Sequence, residues 1–342
     1  MSAVFHIHTI FSDGRATLLD LLRVAEETDV DVIAIVDHDT VENQNWMGWH
    51  RGRYILAGAE VTLRGEQHIV VFGTRRIPPP RTESASSVFR YWDKEKVFSY
   101  IAHPQDFPCP LLRLGENSFY EWEAAGLFDA LEVWNLVTSA KKYAKNFFSG
   151  LRLVQRPEKY LPPPEKSLLH RWAELGKFQR MYGITGLDEH TWTYKKWFWK
   201  GELFGLRKCF SLLRLHIVVP ESAFRAGQEK TADFLLQALK EGAFYSSFEY
   251  LGRGDQAFFF AECGKEQFGM GKQVLLEKTV RLRFSLPETG SVKIWRDHQL
   301  VAFFTAKEFT LETDTPGMYR PEVYRNGHLW ILFNPIWLIP SG

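Results

Sequence analysis

The run from Val30 to Val36 is almost continuously apolar and mostly β-branched, and it ends at Asp37-His38-Asp39. A strand of this kind has no polar face to offer water. It fits a parallel strand covered on both sides, which in turn demands helices packed on a sheet. Three ionisable groups at the end of such a strand are costly unless they are paired or bound to a metal. The local alternative is a solvated loop start with Asp39 as a helix cap.

The flanking sequence supplies the rest of an α/β pattern. Val4-Phe5-His6-Ile7-His8 reads as a strand, and Leu18, Leu21, Leu22 and Ala25 recur at helical spacing, which predicts a helix over 17–28 capped by Thr17. Tyr54–Glu60 and Gln67–Gly73 are expected to form a hairpin around Gly65, with further strands at Phe98–Ala102, Ala130–Trp134 and Tyr182–Thr185. Helical patterns cover Glu165–Leu175 and Ala232–Glu241, and prolines mark loops at 77–81 and 162–164. Alternation over about 250 residues predicts a closed α/β barrel of the TIM type.

Beyond Gly252 the character changes. Short strand-like runs appear at Ala257–Ala261, Val280–Phe284, Val292–Trp295, Leu300–Phe304, Met318–Tyr324 and Leu329–Phe333. Turn residues separate them at Pro287–Gly290, Asp297 and Asn326-Gly327. This is the pattern of a small all-β sandwich. The expected organisation is a barrel over residues 1–250 and a sandwich over 251–342.

Bulk properties narrow the function classes. The net charge of +1 gives no field that would draw nucleic acid or a membrane surface. Cys109, Cys209 and Cys263 lie far apart and form no framework, which favours free thiols in a reducing compartment. Neither a leader pattern nor a run of about 18 apolar residues is present, so no membrane span is expected and the cytoplasm is the default location. Aromatics are densest from Trp192 to Phe204, just after Asp188 and His190. That patch is a lid or wall over a site, packing between the barrel and an insertion, or, least favoured, a membrane-surface element.

Histidines and carboxylates gather at the ends of the expected strands. His6 and His8 sit two apart, so regular alternation turns both to one face. The pair is either the first half of a metal site or two partly exposed histidines. Asp13 follows in Ser12-Asp13-Gly14, which is also ordinary turn chemistry. Glu60 ends a strand, His68 lies across the hairpin, and His103 follows Ile101-Ala102. Asp188 and His190 repeat the two-apart spacing late in the chain. Any one of these could be a polar group satisfied by a hydrogen bond, but their recurrence at one kind of position points to a shared site.

In this order the motifs resemble those of the PHP (polymerase and histidinol phosphatase) family. The elements are His6-x-His8 with Asp13, Asp37-His38-Asp39, Gly58-Ala59-Glu60, His68, His103-Pro104 and Asp188-Glu189-His190. The resemblance spans roughly residues 3 to 250, with one departure at Leu187, where small residues are common. Leu131–Asn135 resembles a further element and offers Glu132 as a candidate behind the ligands. The all-β tail, with Asn334-Pro335-Ile336, is similar to the Ig-like sandwich some bacterial members append.

The resemblance implies a distorted (β/α)7 barrel and two or three divalent ions of zinc, manganese or iron. It implies that His6, His8, Glu60 and Asp188 hold one ion, that Glu60, His68 and His103 hold a second, and that Asp13, His38 and His190 hold a third. Asp37 and Asp39 are then expected to orient imidazoles in catalytic support, Asp39 having the helix-cap alternative. A water between bridged cations loses a proton near neutral pH, giving a metal-bridged hydroxide for attack on a small phosphomonoester or phosphodiester. Arg207 and Arg214 are either phosphate grips or helix-surface or salt-bridge residues, the latter roles favoured. The competing functions are hydrolysis of an amide-type bond by the same metal chemistry, and an idle metal-stabilised scaffold that docks a partner through the sandwich.

Overall fold

The computed structural model describes residues 1–110, 114–191, 193–196, 199–202, 204–225 and 227–341; side chains at 158, 193–196, 199–202 and 225 lie outside that description. The chain is a mixed α/β protein built on one large sheet. Its first twelve strands are β1 (Ser2–Ile7), β2 (Val32–Ile35), β3 (Gly48–His50), β4 (Arg53–Thr62), β5 (His68–Phe72), β6 (Phe98–Ile101), β7 (Ala130–Asn135), β8 (Tyr182–Gly186), β9 (Thr193–Lys196), β10 (Trp199–Glu202), β11 (Leu213–Ile217) and β12 (Phe244–Phe248). The helices are α1 (Leu18–Thr28), α2 (Leu136–Tyr143), α3 (Phe147–Gln155), α4 (Pro157–Tyr160), α5 (Lys166–Gly176), α6 (Leu206–Phe210) and α7 (Gln228–Lys240). Among the described residues none is long and apolar enough to cross a membrane.

Thr17 caps α1 in a reciprocal box with Asp20, and Asp29 ends it in the left-handed conformation. Leu21, Leu22, Val24 and Ala25 form its buried face. β2 is parallel to both β1 and β4, which explains why its sequence lacks a polar face. Ile33 and Ile35 pack into one apolar cluster while Val32, Ala34 and Val36 pack into another. β4 and β5 form the expected hairpin, β5 pairs antiparallel with β6, and β6, β7 and β8 run parallel. Past β8, the Leu187 N–H donates to Phe5 O at 2.8 Å and the His8 N–H to Glu189 O at 2.9 Å. These bonds return the end of β8 to β1.

β11 adds antiparallel to β1, and β12 to β11. None of β3, β11 or β12 was expected from sequence. Their short, mixed composition gives no clean period, and ladder bonding to neighbours decides them.

The tail contributes β13 (Phe258–Cys263), β14 (Glu266–Gly269), β15 (Gln273–Leu276), β16 (Val280–Arg296), β17 (Gln299–Thr313), β18 (Gly317–Arg325), β19 (His328–Phe333) and β20 (Ile336–Pro340). The turn expected at Pro287–Gly290 is not a turn. β16 runs straight through it, and only the register to β17 shifts, between Ser285 and Gly290. Proline cannot donate to a ladder and glycine relaxes one, so the pair marks a bulge rather than a chain reversal. Asn326 and Gly327 do reverse the chain, both at positive φ, in the manner of a tight hairpin.

The tail is joined to the first strands by backbone. β19 pairs with β12, Tyr245 opposite Phe333. Asn334, 1 % exposed, accepts the Gly183 N–H at 2.7 Å and donates to Phe244 O at 3.0 Å. Removing that side chain strands a buried donor and a buried acceptor. Asn334→Ala is expected to cost about 2–4 kcal/mol, against about 1 kcal/mol for Thr17→Ala at the helix cap. Urea denaturation midpoints at unchanged slope measure both.

Candidate metal centre

The parallel strands deliver their carboxyl ends to one mouth. His6 and His8 come from the end of β1, Asp37 and His38 follow β2, Glu60 lies near the end of β4, His103 follows β6, and Asp188 and His190 follow β8. β5 runs the other way and brings His68 at its first residue. His6 and His8 do not converge by regular alternation. His6 has φ +65°, and the β1–β2 register slips between Val4 and Ile7, so a bulge aims the two rings. Gly14 is required because a Cβ there would lie 2.3 Å from the His8 carbonyl carbon, which lets the Asp13 loop close over β1.

Glu60, fully buried, stands at the centre. Its Oε2 is 3.1 Å from both His6 Nε2 and His8 Nε2 and 3.4 Å from His38 Nδ1. Its Oε1 is 3.1 Å from His103 Nε2 and 3.3 Å from His68 Nδ1. Asp188 Oδ1 lies 3.6, 3.5 and 3.6 Å from nitrogens of His6, His8 and His190. Asp13 Oδ1, on the open side, is 3.3 Å from His190 Nε2 and 4.0 Å from His38 Nε2. Separations near 3–3.6 Å are those of donor atoms sharing a cation at roughly 2.0–2.2 Å.

All nine side chains proposed from sequence as ligands are therefore in one place. Three overlapping groups can each hold an ion: His6, His8, Glu60 and Asp188; His38, Glu60 and His68; and His8, Asp13, His38 and His190. The residues fit such ions on a direct observation. His8 Nδ1 and Nε2, His38 Nδ1 and His103 Nδ1 are buried with no hydrogen-bond partner. Buried nitrogens of this kind are costly in an interior unless something satisfies them.

The electrostatics have the same cause. Burial alone would push His6 down, but Glu132, Glu60 and Asp188 hold it well above its ordinary value. Burial likewise opposes His8 and His103, yet the nearby carboxylates of Asp188 and Glu60 raise the first to about 9, and Glu60 raises the second to about 9. His38 goes the other way: burial takes it down to about 4 despite Glu60. Burial would raise Glu60 and Asp188, but the surrounding imidazoles hold both well below the carboxylate range. Asp13 falls to about 2, His190 overcoming its partial burial. Protons on the imidazoles thus balance the carboxylates, a task a divalent cation can take over.

Around this centre the expected supporting roles are redistributed. Asp37 and Asp39 were expected to orient imidazoles. Asp37 instead accepts from the Thr9 backbone and hydroxyl, Ser12 Oγ and Asn43 Nδ2 at 2.7–3.1 Å, so it organises the loop that carries Asp13. Asp39, at φ +51°, accepts the Thr62 N–H at 2.8 Å and caps no helix. The imidazole is oriented by Glu132. Its Oε1 meets His6 Nδ1 at 2.8 Å, and its Oε2 accepts from the His103 N–H at 2.6 Å and from Asn135 Nδ2 at 2.9 Å. Gly186 makes room for it, since a Cβ there would sit 1.8 Å from Glu132 Oε1. Leu187 is buried in the outer core, so the departure from the motif is absorbed by packing.

Arg214 is buried, bonding Ser2 Oγ and the carbonyls of Asp29, Thr28 and Phe210, which excludes it as a phosphate grip. Arg207 is exposed and pairs with Glu27 at 3.5 Å. Of the aromatic patch, residues 192–203 have side chains outside the described residues; the backbones of β9 and β10 pair as an antiparallel ribbon.

Comparisons with known proteins add fold likeness only. No family model matches the chain, and no curated protein matches it. Among solved structures, it is similar to a two-domain protein from Bacteroides vulgatus containing a predicted PHP-like metal-dependent phosphoesterase. That match has 16% identity, 98% of this chain, 94% of that chain and a TM-score of 0.43. PsfC from Pseudomonas syringae aligns at 15% identity over 68% of this chain and 87% of that one, TM-score 0.40. An amidohydrolase from Chromobacterium violaceum aligns at 16% identity over 55% and 87%, TM-score 0.29. None reaches 0.5, and the functional reading rests on the geometry of the site.

Because the raised pKa values keep His8 and His103 protonated at neutral pH, an incoming ion must displace protons. Apparent affinity for Zn²⁺ or Mn²⁺ is therefore expected to climb from about pH 7 toward about pH 9. Calorimetry in buffers of differing ionisation enthalpy should record protons released per ion bound. A flat profile with none released would contradict the arrangement.

Proposed function

We propose that this chain is a PHP-type, metal-dependent phosphoesterase acting on a small phosphomonoester or phosphodiester. The observation that carries the reading is the set of unpartnered, buried imidazole nitrogens around the fully buried Glu60. The architecture in this reading is a distorted barrel over residues 1–250 with an Ig-like sandwich over 251–342. Support for closure comes from the return of β8 to β1 and from an inner apolar set that includes Phe5, Val32, Leu56, Val70, Tyr100 and Ile184. None of the three cysteines forms a disulfide, which fits a reducing, cytoplasmic setting.

His6, His8, Glu60 and Asp188 would hold one ion in this assignment, and Glu60 with His68 and His103 would hold a second. Asp13, His38 and His190 would hold a third. Divalent ions bound there would supply Lewis acidity toward phosphoryl oxygens and would acidify water. The protein's own part is positioning. Glu60 presents separate oxygens to two sets of imidazoles, Glu132 fixes the His6 tautomer and ring, and Asp37 pins the loop that brings Asp13 to the open side. Asp37 and Asp39 act through that placement. Several cations in one mouth match the charge of a phosphoryl group better than that of a neutral amide.

The test is turnover of p-nitrophenyl phosphate against p-nitroacetanilide with added Mn²⁺ or Zn²⁺. The phosphate should be cleaved and the anilide spared; the reverse preference would overturn the reading. His8→Ala and Asp188→Asn are expected to lower phosphatase activity by at least about 100-fold with the circular dichroism spectrum unchanged, and Glu132→Gln by about 10–100-fold.

A further inference from the structure

Two histidines outside every motif, His170 and His298, meet at the junction of α5 with the tail. We propose that His170, Glu174 and His298 form a second, mononuclear site for a zinc-class divalent ion, clasping α5 to the β16–β17 turn. It shares no residue with the centre around Glu60.

α5 buries Leu168, Trp172, Ala173 and Gly176. His170 and Glu174, four residues apart, stand together on another side of that helix. His298 is delivered by a well-anchored turn. Asp297, at φ +53°, accepts the Met318 N–H at 3.0 Å and donates its own N–H to Met318 O at 2.9 Å. The rings of His170 and His298 stack with centroids 4.0 Å apart and planes at 30°, and His298 Nε2 contacts Glu174 Oε1. One donor atom from each of the three lies within 4.8 Å of the others.

A plain ion pair accounts for only part of this. Glu174 already has a cation, since Lys177 Nζ is 2.7 Å from the same Oε1. His170, on the exposed side of the helix, has no hydrogen-bond partner among the described residues and is held against His298 by ring stacking. Two imidazoles and a carboxylate drawn together across a junction are the donor set that zinc takes with one position left open. Beside the trio lies a cavity of about 350 Å³ whose wall contains both imidazoles, with Lys166, Lys293, Arg320 and Glu322 among its other residues. It has room for water or a small anion as the remaining ligand.

The experiment titrates the full chain with Zn²⁺ alone and counts bound equivalents by elemental analysis after equilibrium dialysis. The proposal expects His170→Ala and His298→Ala each to bind one equivalent fewer than the wild type, to keep full aryl phosphatase activity, and to gain less thermal stability from zinc. Conversely, adding His298→Ala to a His8→Ala, Asp188→Asn background should remove one further equivalent. Equal zinc counts in the wild type and both clasp variants would overturn the proposal, even if His298→Ala lowers stability, because the contact would then be an ion pair only.

Discussion

Glu60 is a carboxylate with no access to water, and the arrangement of the first 190 residues answers the cost of burying it. Five imidazoles, from His6, His8, His38, His68 and His103, lie within hydrogen-bonding reach or just beyond it. No single segment can supply that shell, because the contributors come from the ends of four strands or the turns after them. The backbone bends to do it. His6, His103 and Asp188 all take positive φ, a conformation that costs on the order of 1–3 kcal/mol for each non-glycine residue. Such strain persists where surrounding bonds over-determine it, as the β8-to-β1 bonds do here.

A second layer holds the first in place. Glu132 joins β7 to both β1 and the segment after β6 through His6 and the His103 backbone. It fits only because Gly186 on the neighbouring strand has no side chain. On the opposite side, Asp37 gathers Thr9, Ser12 and Asn43. The two carboxylates divide the work: one fixes ligand rings, the other fixes the loop that brings the most exposed ligand, Asp13. The tail is coupled to this layer through β12 and through Asn334, which bonds β8 three residues before Gly186. The tail is therefore tied by hydrogen bonds to the strand that leads into Asp188.

Much of this was legible along the chain. The apolar run before Asp37, the spacing of α1 and the hairpin between Glu60 and His68 each follow from local periodicity, and the nine ligand candidates stood at strand ends in a recognisable order. Other features left no local trace. The short strands β11 and β12 have no distinctive period, Pro287–Gly290 read as a turn because bulges and turns use the same residues, and Asp37 and Glu132 exchanged their expected importance. A carboxylate's neighbours across a sheet are not written beside it.

By itself, the sequence determined which groups were available for chemistry and on which kind of element each would sit, since side-chain type and short-range hydrophobic period are local properties. Only the tertiary structure decided which oxygen of Glu60 faces which imidazole, that Glu132 rather than Asp37 touches a ligand ring, and that His170 and His298 meet at all. Those are relations between segments up to 128 residues apart, set by strand pairing, bulges and packing, and no local pattern encodes them.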